Sequence, residues 1–133
     1  MNNETRLPLA LLFLRVSVFL VMFMWTLDKF VNPEHAAAVF KNFYFIGGIG
    51  HSLSYIIGAV EIVIITGFLL GYRKKATYGT VLILHAVSTL SSFKQYLSPF
   101  TNPNLLFFAA WPMLAACFAL YHLREQDTLF TFE

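Results

Sequence analysis

Three ionisable residues, Arg15, Glu61 and His85, each interrupt a different apolar run of the chain. A charged side chain at the centre of a membrane helix costs roughly 2.5 to 3.5 kcal/mol, so such residues usually face the interior of a bundle and find partners there. A base, an acid and an imidazole at one level can hydrogen-bond to a small molecule and exchange protons with it. These three side chains are therefore the first candidates for a site.

The elements that carry them are predicted from the composition. The chain has 133 residues, of which 58% are hydrophobic, 17% aromatic and only 12% charged, so it is more apolar than an ordinary soluble domain. A bilayer core of about 30 Å takes about 20 helical residues. Four runs approach this length: Leu7 to Leu27, Ser52 to Leu70, Ala76 to Phe93 and Leu105 to Tyr121. We expect an all-α fold, a single integral membrane four-helix bundle over residues 1–133.

Several other classes are excluded by the same composition. Arg15 interrupts the first run, which also lacks an Ala-x-Ala exit, so we expect a helix that stays and not a secretory signal. Cys117 is the only cysteine, so no internal disulfide can form. No basic patch supports binding of nucleic acid.

Charge placement predicts the orientation. The cluster "GYRKKAT" between the second and third runs should stay in the cytoplasm, which places both termini there. In the first outer connection, Asn32-Pro33-Glu34 resembles a helix start, and residues 34 to 45 are predicted to form a short interfacial helix. Gly47, Gly48 and Gly50 should end it.

Arg15, Glu61 and His85 come out at a similar depth when residues are counted from the cytoplasmic ends of their runs. At 1.5 Å per residue the depths are about 12, 15 and 14 Å. Polar residues recur at helical spacing on each of these runs and should converge: Arg15, Met22, Trp25, Thr26 and Lys29 on the first; Ser54, Gly58 and Glu61 on the second; Tyr78, His85, Ser88, Thr89 and Ser92 on the third.

Each group also has a purely structural interpretation. Arg15 could extend its guanidinium toward the cytoplasmic interface, and Glu61 could form a structural ion pair or a hydrogen-bonded acid. His85 could be a packing histidine. A haem or copper site would need His51 or His122 as well, and both belong to helix ends about half a bilayer away, so we predict no metal site.

The chain resembles the DoxX family of small four-helix membrane proteins. The resemblance lies in Leu14-Arg15, in Asp28-Lys29-Phe30, and in "GAVEIVIITGFLLGYRKKAT" with its Gly58, Glu61 and basic turn. It implies a bundle in the cytoplasmic (inner) membrane of a bacterium or archaeon, with Arg15, Lys29 and Glu61 as positions of interest. Some members of this family sit beside redox enzymes and others act in assembly.

The main functional hypothesis is an accessory membrane subunit of a respiratory or redox system that binds a quinone-like molecule. Glu61 and His85 would carry protons, and Arg15 would hold Glu61 ionised. Phe19, Met22 and Trp25 would form the slot, with Lys29 and Tyr78 completing the binding set. We expect any electron-carrying centre to belong to a partner subunit. The alternatives are an assembly protein whose polar groups only fix helix packing, a small proton-coupled carrier that acts as a homo-oligomer, and a haem- or metal-binding membrane protein.

Overall fold

The computed structural model describes residues 3–43, 47–48 and 51–132, and all of the regular structure in these ranges is helical. Six α-helices follow one another: α1 (Asn3–Val31), α2 (Pro33–Phe43), α3 (His51–Leu69), α4 (Lys74–Ser91), α5 (Phe93–Leu97) and α6 (Ala110–His122). Two 3₁₀ helices, Asn104–Ala109 and Arg124–Gln126, flank α6. The prediction of an all-α fold is confirmed.

Three segments are long and apolar enough to cross a membrane: Glu4–Val31, Ser52–Leu69 and Asn104–His122. The third predicted span, Ala76 to Phe93, corresponds to α4, whose 18 residues include Lys74, Lys75 and His85 and are less apolar. Large apolar side chains point outward on the helices, among them Leu20, Val63 and Ile83, each at least 60% exposed. Such a surface is rare on soluble monomers and indicates a membrane protein.

The four long helices pack in a closed ring. Helix α1 contacts α3 and α6, and α4 contacts the same two helices from the other side. The core between them is formed by small and large apolar side chains, of which the most buried are Leu11, Val18, Ile65, Phe68, Val81, Cys117 and Leu120. This ring places α1, α3 and α4, the helices of Arg15, Glu61 and His85, around one interior.

The short helix predicted in the first connection is present as α2. It begins at Pro33, where the missing N–H of proline costs nothing because the first turn of a helix has no acceptor for it. The predicted residues 44 and 45, and Gly50 of the predicted stop signal, lie outside the described residues. Gly48 is described and has a positive φ of 76°, a conformation that glycine adopts readily.

The last predicted span is not one continuous α-helix. A 3₁₀ helix covers Asn104–Ala109, and α6 begins only at Ala110. Pro112 explains the boundary, because a proline is tolerated in the first turn of an α-helix but would remove a hydrogen bond from its interior. The new helix therefore starts at Ala110, two residues before this proline.

After α6 the chain turns back along the bundle. Residues 127–132, which we call the C-terminal segment, reach the end of α3, where the Phe132 N–H donates to the Leu70 carbonyl at 2.8 Å. Gly71, with φ 63°, lies against Thr131 so closely that a β-carbon on it would come within 2.5 Å of Thr131 Cγ2. The C-terminal segment is therefore part of the folded bundle.

Candidate functional site

Arg15 pairs with Asp127, the first residue of the C-terminal segment. Arg15 Nη1 donates to Asp127 Oδ1 at 2.7 Å, and both side chains are almost completely buried. The Tyr78 hydroxyl donates to the other carboxylate oxygen, Asp127 Oδ2, at 2.5 Å. Arg15 Nη1 also lies 3.5 Å from that hydroxyl. One carboxylate thus joins α1, α4 and the C-terminal segment.

Main-chain carbonyls complete this network. Arg15 Nη2 donates to the carbonyls of Leu129 at 2.6 Å and Phe130 at 3.2 Å. Lys74 Nζ donates to the carbonyl of Asp127 at 2.6 Å. A buried ion pair is stable only when hydrogen bonds satisfy its remaining donors and acceptors, and here the C-terminal segment supplies most of the acceptors.

The expected partnership of Arg15 with Glu61 is replaced by one with Asp127. Arg15 lies near the connection between α3 and α4. Its partner Asp127 also accepts a hydrogen bond from Lys74 at the start of α4, and the C-terminal segment reaches Leu70 at the end of α3. The depth counted from Leu7 does not describe this position, because that count takes Leu7 to be level with the connection between α3 and α4. The pairing with Asp127 was not predicted, and the only signal for it was an acid placed after the last apolar run.

Glu61 belongs to a second polar group near the other end of α1. Thr26 Oγ1 donates to Glu61 Oε2 at 3.0 Å, and Lys29 Nζ lies 3.1 Å from Oε1 and 3.2 Å from Oε2. Ser54 Oγ donates to the Lys29 carbonyl at 3.0 Å. The predicted convergence of the polar faces of the first two long helices is confirmed here.

His85 occupies a third environment. Its Nε2–H donates to the Ala110 carbonyl at 3.0 Å, and its ring stacks on Trp25 with centroids 5.8 Å apart. This hydrogen bond assigns the proton to Nε2, which leaves Nδ1 as an acceptor; Nδ1 is buried and has no partner in the described part of the chain. His85 therefore has one unused acceptor in the interior.

The three groups have separate partners, and Arg15 lies at a different level from Glu61 and His85, whose contacts on α1, Thr26 and Trp25, are adjacent residues. Arg15 and Thr26, the partner of Glu61, are eleven residues apart on α1, which is about 16 Å of helix. Tyr78, the partner of Asp127, and His85 are seven residues apart on α4, about 10 Å. Among the predicted slot residues, Met22 is buried in the core and Phe19 stacks on Phe23 at 5.4 Å.

An open apolar groove of about 410 Å³ runs beside Arg15, between α1, the end of α3 and the C-terminal segment. Its walls are Leu12, Phe13, Arg15, Val16, Leu69, Leu70, Phe130 and Phe132. Arg15 is the one charged residue of these walls, and its Nε is buried without a partner in the described part of the chain. The volume lies in the range of small-molecule sites.

Among the described residues no group of three or more His, Cys, Asp or Glu side chains could hold a metal ion. The side chain of His51, one of the two additional haem ligands considered from the sequence, lies outside the described residues. No protein-family model, curated protein or solved structure is significantly similar to this chain.

Proposed function

We propose that the protein is an accessory membrane subunit of a redox system and binds a quinone-like, lipid-soluble molecule in the groove beside Arg15. The observation that carries this proposal is the presence of Arg15 in the wall of an otherwise apolar groove, together with its Nε, which is buried and has no partner in the described part of the chain. An N–H without an acceptor in such a place favours a ligand that brings an acceptor oxygen.

The chemistry of a quinone suits both the apolar walls of the groove and its one charged residue, Arg15. Its ring and hydrocarbon tail would lie against Leu12, Val16 and Leu69, and a carbonyl oxygen would accept from Arg15. Asp127 would keep the guanidinium in place through Nη1 while a ligand uses Nε. Electron transfer to the ligand requires a redox centre, which we assign to a partner subunit.

Glu61 and His85 do not line this groove. Binding through Arg15 does not require either of them, and their role as proton carriers stays a prediction. Glu61 is held by Lys29 and Thr26, and the ring of His85 stacks on Trp25.

We further propose four spans, α1, α3, α4 and α6, in the cytoplasmic membrane of a bacterium or archaeon. The ring of four helices supports α4 as a span despite its two lysines, because both lie in its first turn. Arg73, Lys75 and Arg124 lie at one end of the bundle, which supports a cytoplasmic location for that end and for both termini.

The binding proposal is tested by filling the groove. The detergent-purified protein should carry quinone in its lipid extract, detected by mass spectrometry, and should bind decylubiquinone. Val16→Trp places a large ring in the groove without touching the Arg15 hydrogen bonds and should weaken binding at least about tenfold. Val63→Trp, on an outward face of α3, is the matched control and should bind normally. Equal binding by both variants would refute the groove as the site.

An assembly function is the second candidate. It is favoured by the local pairing of the buried charges, Arg15 with Asp127 and Lys29 with Glu61, since both pairs hold elements together. If neither quinone nor its analogue binds the folded protein, this function takes precedence.

A further inference from the structure

A second cleft lies at the same end of the bundle as Arg15 and is basic. It has a volume of about 370 Å³ and is lined by Arg73, Lys74, Lys75, Ala76, Arg124 and Glu125. Four of these six residues are cations, and they come from two elements: the start of α4 with the residue before it, and the 3₁₀ helix that follows α6. The cleft therefore concentrates positive charge that is distant in sequence.

Most of this charge is not neutralised by the protein. Arg73, Lys75 and Arg124 take part in no salt bridge within the described residues, and Glu125 is not within ion-pair distance of any of the three. Arg73 Nε donates to the Tyr72 hydroxyl at 3.3 Å, which raises the pKa of Arg73. Arg124 Nη1 donates to the Tyr121 carbonyl at 2.9 Å, and the Arg124 guanidinium lies over the aromatic ring of Tyr121. Lys74, in contrast, donates to the Asp127 carbonyl at 2.6 Å.

The start of α4 is unfavourable for this much positive charge. Arg73 adopts φ 48°, a left-handed conformation that few residues other than glycine favour. The first turn of α4 contains two lysines and no acidic residue, although cations are unfavourable near the positive end of a helix. An anion among these side chains would relieve their mutual repulsion and the unfavourable interaction with the helix.

We infer that this cleft binds the phosphate headgroup of an anionic phospholipid. Arginine guanidinium groups recognise phosphate through paired N–H donors, and lysine adds a point charge. The cleft is placed for a lipid and not for a dissolved ion, because it lies at the ends of two apolar segments. Arg73 comes four residues after the end of Ser52–Leu69, and Arg124 comes two residues after the end of Asn104–His122. Basic pockets at that level of a membrane protein are typical sites for anionic headgroups.

The outward faces of the neighbouring helices would receive the acyl chains. Ile83 on α4 and Phe118 on α6 are both more than half exposed. Ile83 lies about two turns after Lys75, and Phe118 lies between one and two turns before Arg124. The lipid site uses neither Arg15 nor the groove, so it stands or fails independently of quinone binding.

Native mass spectrometry of the detergent-purified protein tests the inference, with phosphatidylglycerol and phosphatidylcholine titrated separately. The wild-type protein should retain phosphatidylglycerol preferentially. Each basic residue near an anionic lipid surface contributes about 1 kcal/mol, so the triple variant Arg73→Gln, Lys75→Gln, Arg124→Gln should bind phosphatidylglycerol at least about tenfold more weakly. The control, Arg6→Gln, Lys41→Gln, Lys94→Gln, loses the same charge elsewhere and should bind as the wild type does.

Two outcomes would overturn the inference. The first is equal loss in the two triple variants, because it would show a response to net charge and not to the cleft. The second is displacement of the lipid by an excess of inorganic phosphate, because it would identify a dissolved anion as the ligand. If the triple variant does not fold, Lys75→Gln alone serves, since Lys75 is exposed and should weaken lipid binding severalfold without loss of the bundle.

Discussion

Arg15 and Asp127 form an ion pair of 2.7 Å although 112 positions separate them in the chain. The pair closes the bundle between its first helix and its last residues, with Tyr78 and Lys74 of α4 bound to the same aspartate. Because both side chains are removed from solvent, the charge of each is compensated by the other and by the hydrogen bonds around the pair.

Asp127→Ala should lower the free energy of unfolding by about 3 to 5 kcal/mol, because it leaves the Arg15 guanidinium buried without its counter-charge. The measurement is an SDS titration in mixed micelles, followed by circular dichroism. Asp28→Ala is the control, since Asp28 pairs with His35 in a much more exposed position and should cost less than about 1 kcal/mol. Equal effects of the two substitutions would contradict the assignment.

Tyr78→Phe should cost about 1.5 to 3 kcal/mol, because Asp127 Oδ2 loses a charge-assisted hydrogen bond while the ring contact with Phe68 remains. Tyr121→Phe removes a hydroxyl that makes no hydrogen bond within the described residues, and it should change stability by less than about 0.5 kcal/mol. The same titration compares the two. A neutral Tyr78→Phe would mean that the hydroxyl is dispensable to the aspartate.

Gly71→Ala should be more damaging than Gly48→Ala. Both glycines have positive φ, so an alanine costs roughly 1 kcal/mol at either position, but only the one at Gly71 would meet Thr131. We expect a further loss of about 1 to 3 kcal/mol at Gly71, with the C-terminal segment displaced and more susceptible to carboxypeptidase. Similar digestion rates for the two variants would argue against a packed segment.

Glu61→Leu should lower the free energy of unfolding by about 2 to 3 kcal/mol, because Lys29 and Thr26 both lose their acceptor. If the groove beside Arg15 is the quinone site, the dissociation constant for decylubiquinone should not change. Glu34→Leu, on the exposed face of α2, controls for the loss of an acid. Loss of quinone binding at unchanged stability would instead favour the proton-carrier role of Glu61.

Hydropathy was sufficient to place the long helices, because an apolar run of bilayer length has few other ways to satisfy its backbone. It placed α3 within one residue at each end, Ser52 to Leu70 against His51–Leu69. Hydropathy could not predict the change from the 3₁₀ helix Asn104–Ala109 to the α-helix α6, because that change depends on the backbone of Pro112 and its neighbours. It also overstated α4, where the lysines of the first turn reduce the apolar character.

The polar contacts divide in a similar way. Thr26, Lys29, Ser54 and Glu61 repeat at helical spacing on neighbouring antiparallel helices, so their meeting could be predicted. The partner of Arg15 could not, because Asp127 lies in an irregular polar segment that has no periodicity and no fixed depth. The partner of His85 is a main-chain carbonyl, a group that every residue carries and that no sequence pattern distinguishes.

The position of Asp127 after the last helix also sets an order of events during biosynthesis. At translation rates of about 5 to 20 residues per second, roughly 5 to 20 s elapse between the emergence of Arg15 and that of its counter-ion. Throughout that interval the first helix carries an uncompensated cation, which favours a shallow position near the aqueous surface. The final seating of α1 must therefore wait until Asp127 has been synthesised, and a nascent chain stalled before Asp127 would expose this arginine to quality-control proteases.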